Sequence, residues 1–154
     1  VRIAVLNGPN LNLLGLREPS IYGTATLNDV ERNLQPVARE LGVTLDFVQR
    51  NGEGELVDCI HSLRGRADGA IVNAGAYSHS SLAIRDALTG VAIPFVEVHV
   101  TNIYAREPER RHSMLAPAAI GVICGLGVFG YELALRGLVA KLSPGAGAGA
   151  AAHV

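Results

Sequence analysis

The stretch Arg2-Ile3-Ala4-Val5-Leu6-Asn7-Gly8-Pro9-Asn10-Leu11-Asn12 decides the fold. Its first half is a short apolar run of strand-forming residues. Its second half is Asn, Gly and Pro, which end strands and set turns. A run that is apolar throughout, rather than alternating with polar residues, suits a strand covered on both faces.

The pattern repeats downstream. Val43 to Gln49, Ala70 to Val72, Phe95 to Val100 and Ile120 to Cys124 read as four further strands. Between them lie helical patterns at 27–41, 55–64, 80–89 and 130–142. The first has Thr26 as N-cap, Asp29 three residues on and Gly42 as a stop. Pro36 inside it predicts a kink. In the second, Leu56, Cys59, Ile60 and Leu63 share one face. Five β–α alternations imply an α/β, doubly wound, five-stranded parallel sheet with helices on both faces. Residues 1–142 are expected to form a single catalytic domain. Residues 143–154, rich in Gly and Ala, are expected to be a flexible tail.

Composition narrows the function. The chain has 154 residues, of which 49% are hydrophobic and 18% charged, with a net charge of -1. One core of this size folds without disulfides or metals, and near-neutral charge disfavours nucleic acid as a partner. Lys141 is the only lysine, so Schiff-base chemistry has a single candidate, at the end of the last helix. Cys59 and Cys124 make no disulfide framework; both lie in apolar runs, which favours a reducing, cytoplasmic setting. The opening apolar run is broken too soon for a signal peptide, and no segment predicts a membrane span.

In a doubly wound sheet, ligands bind beyond the carboxyl ends of the strands. Strand one ends in Asn7 to Asn12, followed by a long connection carrying Arg17 and Tyr22, long enough for an active-site lid. Strand three ends in Asn73-Ala-Gly-Ala-Tyr77-Ser-His79. Strand four carries Glu97, His99 and Thr101 at alternate positions, hence on one face. Individually these residues have structural explanations: Asn7-Gly8 can make a turn, and His99 can be a core histidine satisfied by Glu97. Their convergence on one rim points to a site.

Other chemistries fit less well. Gly125-Leu-Gly127-Val-Phe-Gly130 matches a dinucleotide fingerprint, but no further strand or acidic residue follows at the required distance. Those glycines suit a tight turn and close helix–strand packing. His79, His99 and His112 lack metal-ligand spacing. A flavin- or nucleotide-binding module on the same scaffold is the alternative, and a co-purifying chromophore would mark it.

Several segments carry a resemblance to a known family: Leu6-Asn-Gly-Pro-Asn-Leu-Asn-Leu-Leu-Gly15, Arg17-Glu-Pro-Ser-Ile-Tyr-Gly23 and Val72-Asn-Ala-Gly-Ala-Tyr-Ser-His79. So do Glu97-Val-His-Val-Thr-Asn102, Ala105-Arg-Glu-Pro108, Arg111-His-Ser113 and Gly121-Val-Ile-Cys-Gly-Leu-Gly127. Together they resemble type II 3-dehydroquinate dehydratase over about residues 1–142. The resemblance implies a flavodoxin-like fold and a lyase that converts 3-dehydroquinate to 3-dehydroshikimate, in the shikimate pathway or in quinate metabolism. It implies no metal or organic cofactor.

It also implies roles. Tyr22 would be the base; a free tyrosine has a pKa of about 10 and needs a nearby cation, which Arg17 would supply and Arg106 reinforce. Asn12 would orient a water that stabilises an enolate. His99 would be the general acid, oriented by Glu97. Asn73, His79 and Arg110 would hold the substrate, and Thr101 with the Val100 backbone would take its carboxylate. Thr101 departs from the Ser usual in the family but keeps the hydroxyl. Asp86 would reach a neighbouring subunit's site within a dodecamer built of four trimers.

Overall fold

The computed structural model describes residues 1–143. Five strands form one sheet: β1 (Arg2–Asn7), β2 (Thr44–Gln49), β3 (Gly69–Asn73), β4 (Phe95–His99) and β5 (Gly121–Cys124). All pair in parallel, in the order β2-β1-β3-β4-β5. This is the flavodoxin-like doubly wound arrangement expected from the alternating runs, with its switch point between β1 and β3.

Alternate residues of the central strands feed two cores. Ile3, Val5, Ile71, Val96 and Val98 pack against α2 (Leu27–Leu41) and α5 (Phe129–Leu142). Ala4, Leu6, Ala70, Val72 and Phe95 pack against α3 (Glu53–Ser62) and α4 (Leu82–Val91). A one-turn helix, α1 (Pro19–Tyr22), interrupts the long connection after β1.

Helix α2 has the expected bounds. Thr26 accepts from the Asp29 amide at 3.2 Å, Asp29 accepts from the Thr26 amide at 2.9 Å, and Gly42 closes the helix. Pro36 lies inside α2 without ending it.

Other boundaries move for local reasons. Helix α3 starts at Glu53, ahead of the predicted 55, with Glu53 and Glu55 in its first turn. Helix α4 starts at Leu82 rather than 80. Residues 75–79 wind into a 3-10 turn, and Ser81 caps the helix by accepting from the Ile84 amide at 3.0 Å. Strand β4 ends at His99, so Thr101 sits in the bend beyond it. The expectation of strands covered on both faces holds for β3 and β4. It fails for β2 and β5, whose edge positions leave them partly exposed. Cys59 and Cys124 are free and half-buried.

Of the glycine motif, Gly125 and Gly127 make the expected tight turn, with φ of +90° and +63°, whereas a Cβ on Gly130 would meet Ile123 and Val98 only at ordinary contact distance, 3.4 and 3.5 Å. The predicted tail, beyond Ser143, lies outside the described residues. Among the described residues no helix is long and apolar enough to cross a membrane.

Candidate active site

A cleft of about 120 Å³ opens at the carboxyl ends of β1, β3 and β4, a volume suited to one small ring. Of the residues expected at the rim, Arg17, Tyr22, Asn73, His79, His99, Val100, Thr101, Arg106 and Arg110 line it. Glu97 lies behind His99 and is fully buried. Asn12 is exposed on the 3-10 turn Leu11–Leu13, outside the cleft lining. Asp86 is exposed on α4, also outside it.

The cleft exists because β1 and β3 end side by side. The Gly8 amide donates to the Asn73 carbonyl at 2.8 Å, and a Cβ on Gly8 would collide with the Ala74 backbone. Only glycine lets the two strand ends approach this closely.

Tyr22 stands between two guanidinium groups. The Arg17 carbon Cζ lies 5.1 Å from the ring centroid and that of Arg106 lies 5.4 Å away. Arg106 also donates from Nη1 to the Tyr22 hydroxyl at 3.3 Å and to Thr101 Oγ1 at 3.2 Å. The contact at the hydroxyl is therefore made by Arg106, while Arg17 covers the ring. Glu107 ties Arg106 to Arg110: it hydrogen-bonds Arg110, and its Oε2 lies 3.7 Å from Arg106 Nε. Its own backbone amide, and then Arg110, hold the Glu107 carboxyl below the usual range.

On the opposite wall His99 Nε2 donates to Glu97 Oε1 at 2.7 Å. A carboxylate can only accept, so Nδ1 is the ring nitrogen left for the cleft. Alternation along β4 gives this pair its common face, as the sequence spacing requires.

His79 is fixed by a reciprocal bond. Its Nδ1 lies 2.7 Å from the His112 carbonyl, and His112 Nε2 lies 2.7 Å from the His79 carbonyl. Both partners are acceptors, so both nitrogens donate, and neutral His79 presents Nε2 as an acceptor. Burial pushes the His79 pKa down. The bond to the His112 carbonyl opposes this, and the charges of His99, Arg110 and His112 push it down further.

Asn73 presents the complementary group. Its Oδ1 accepts from the Gly75 amide at 3.2 Å, and its Nδ2 donates to the Tyr131 hydroxyl at 2.9 Å. That hydroxyl in turn donates to Asn7 Oδ1 at 2.6 Å. One Asn73 N–H remains for a ligand. Tyr131 is fully buried, and burial raises its pKa despite the Asn73 bond.

Asn7, Tyr131, Glu107 and His112 thus support the cleft, as does Ser113, whose hydroxyl donates to Glu97 Oε1, and sequence spacing assigns none of them. Asn7, Glu107, His112 and Ser113 each fall within one of the distinctive segments; Tyr131 falls in none. Among the described residues, no group of three His, Cys, Asp or Glu side chains is arranged to hold a metal ion.

Comparison with known proteins places the chain in a family. Residues 1–139 match the family model described as dehydroquinase class II. A protein of Gemmatimonas aurantiaca named 3-dehydroquinate dehydratase is 66% identical over 140 residues, covering 91% of this chain and 92% of its own. The crystal structure of type II dehydroquinase from Propionibacterium acnes superposes with a TM-score of 0.85 at 45% identity, covering 90% of this chain and 95% of that one. That of Butyrivibrio crossotus gives 0.87 at 38% identity, covering 90% and 97%.

Proposed function

The chain belongs to the class II dehydroquinase family, and from that premise we propose an acid–base route through an enolate, with Tyr22 as base and His99 as acid. The activity itself is that of a 3-dehydroquinate dehydratase, a lyase. The route rests above all on one observation: Tyr22, between two guanidiniums, shares a cleft with a histidine backed by a buried carboxylate.

The substrate is a cyclic β-hydroxy ketone with a carboxylate. Tyr22 takes the proton next to the ketone, with the Arg106 guanidinium at its hydroxyl and the Arg17 guanidinium over its ring. The electron pair moves onto the carbonyl oxygen as an enolate. We assign its stabilisation to a water bridging from Asn12, which lies outside the cleft lining but next to Leu11, which is part of it. The enolate then re-forms the ketone and expels the β-hydroxyl, which His99 protonates so that water leaves. Glu97 keeps the ring oriented through its hydrogen bond to Nε2. No lysine is needed.

Thr101 and the Val100 backbone take the carboxylate in this reading. Asn73 donates to the substrate, His79 accepts from a ring hydroxyl, and Arg110 binds another. Residues 1–142 act as one catalytic domain of a cytoplasmic enzyme, serving the shikimate pathway or quinate metabolism. Asp86, exposed on α4 and away from its own cleft, reaches a neighbour's site in a dodecamer built of four trimers.

The test is Tyr22→Phe, followed by the ultraviolet absorbance of the conjugated enone product. Turnover falls at least about 1,000-fold while the protein stays folded, within the range removal of an acid–base group costs. Near-full turnover removes Tyr22 as the base. Inactivation of the parent enzyme by substrate plus borohydride would instead reveal an imine on Lys141 and overturn the route.

A further inference from the structure

The geometry points to Ser113 as a positioning residue for the reaction, acting on His99 through Glu97. The inference rests on the reading of His99 as the acid.

Glu97 is fully buried on β4, and its two oxygens are treated very differently. Oε1 accepts from His99 Nε2 at 2.7 Å and from the Ser113 hydroxyl at 2.5 Å. Among the described residues, Oε2 is buried with no hydrogen-bond partner. A carboxylate in this position is costly unless its donors are well placed. Both donors are on one oxygen, so little else fixes the rotation of the group about its terminal bond.

Ser113 is itself held in a defined orientation. Its Oγ accepts from the Leu115 amide at 3.1 Å and from the Ala116 amide at 3.1 Å. With both lone pairs engaged by backbone, the one hydroxyl proton is directed at Glu97. The result is an ordered chain: backbone amides fix the Ser113 hydroxyl, the hydroxyl fixes the carboxylate, and the carboxylate fixes the imidazole. Ser113 is 16 residues from Glu97 and lies outside the cleft lining. It therefore has no direct contact to offer the substrate, and its effect falls on the proton-transfer step.

Removing the hydroxyl leaves His99 as the only donor to Glu97 among the described residues. The carboxylate can then swing, and the ring loses its fixed aim. Misplacing a reacting group by about 1 Å costs roughly 100-fold in rate, so Ser113→Ala is expected to lower kcat by about 10- to 100-fold. KM should change less than about twofold, because substrate contacts are untouched. Ser113→Thr keeps the hydroxyl and should restore most of kcat. If Ser113→Ala does not fold, Ser113→Cys, a weaker donor of similar size, is read in the same way.

A double-mutant cycle with Glu97→Gln decides the matter. If Ser113 acts through Glu97, adding Ser113→Ala to Glu97→Gln lowers kcat by less than about threefold further. Independent, multiplying losses overturn the inference, as does a Ser113→Ala enzyme with parental kcat, or a loss that Ser113→Thr fails to repair. A Glu97→Gln enzyme with parental kcat would sink the reading of the His99–Glu97 pair, and this inference with it. An impaired Glu97→Gln beside an unimpaired Ser113→Ala refutes the inference alone.

Discussion

Replacing Tyr131 by Phe removes one oxygen atom from a place that water cannot enter. The ring keeps its volume and its packing among Ile3, Val5 and Val98, so no cavity of consequence opens. Two hydrogen bonds are lost: the hydroxyl's donation to Asn7 Oδ1 at 2.6 Å and its acceptance from Asn73 Nδ2 at 2.9 Å. The costs differ. Asn7 is 3% exposed, and its Oδ1 is left buried without its donor, which costs about 1–3 kcal/mol. Asn73 is equally buried, but it lines the cleft, where a water or ligand can take up its freed N–H, which lowers the cost to about 0.5–1.5 kcal/mol. The sum is about 1.5–4.5 kcal/mol. With a urea dependence of about 2 kcal/mol per M, the unfolding midpoint should fall by about 1–2 M at unchanged slope. Because Asn73 loses its orientation, KM should rise in the same variant. A midpoint within about 0.2 M of the parent would refute the reasoning, since it would mean that the two amides are satisfied without the hydroxyl.

Two further outcomes follow from the strand ends and from His79. Gly8→Ala drives a Cβ into the Ala74 backbone, so it should destabilise by about 1–3 kcal/mol, read as a lowered thermal midpoint; parental stability would show that the strand ends can spread. His79 has a pKa lowered in the folded state, chiefly by burial. The unfolded chain therefore takes up this proton first, near the ordinary value of about 6.5. Above that pH neither state is charged and the group costs nothing. As pH falls below it, stability declines until the folded state also binds the proton. His79→Gln should flatten the fall in urea midpoint between about pH 7.5 and pH 5; an unchanged slope would remove His79 as its source.

What could be read from the chain and what could not divides by the range of the interaction. Helix α2 announced itself because its signals are local: Thr26, Asp29 and Gly42 lie within its own span or next to it. The Glu97–His99 pair was equally legible, since alternation along a strand decides which side chains share a face. The start of α4 falls two residues later than the periodicity suggests because Ser80 closes the turn at 75–79 and Ser81 caps the helix, and both serines read from sequence as part of a helix. The partial exposure of β5 was hidden because edge position depends on strand order, which an apolar run does not encode. Least legible were the supports. Ser113 reaches Glu97 from a loop, His112 reaches His79 from 33 residues away, and Tyr131 reaches Asn7 from 124 away. No spacing rule links such partners, and only the packed sheet brings them together.

The last of these distances bears on how the protein is made. Translation releases β1 first and Tyr131 only after every strand. A nascent chain can therefore pair its first four strands and cover one face of them with α3 and α4 while Asn7 and Asn73 still have no hydroxyl between them. The floor of the cleft is thus settled late, when α5 docks. Interruption of synthesis before that point yields a chain with most of its sheet and an unfinished catalytic centre, in which α2 alone shields the other face. Such an intermediate exposes apolar strand surface, the property that invites aggregation and chaperone attention.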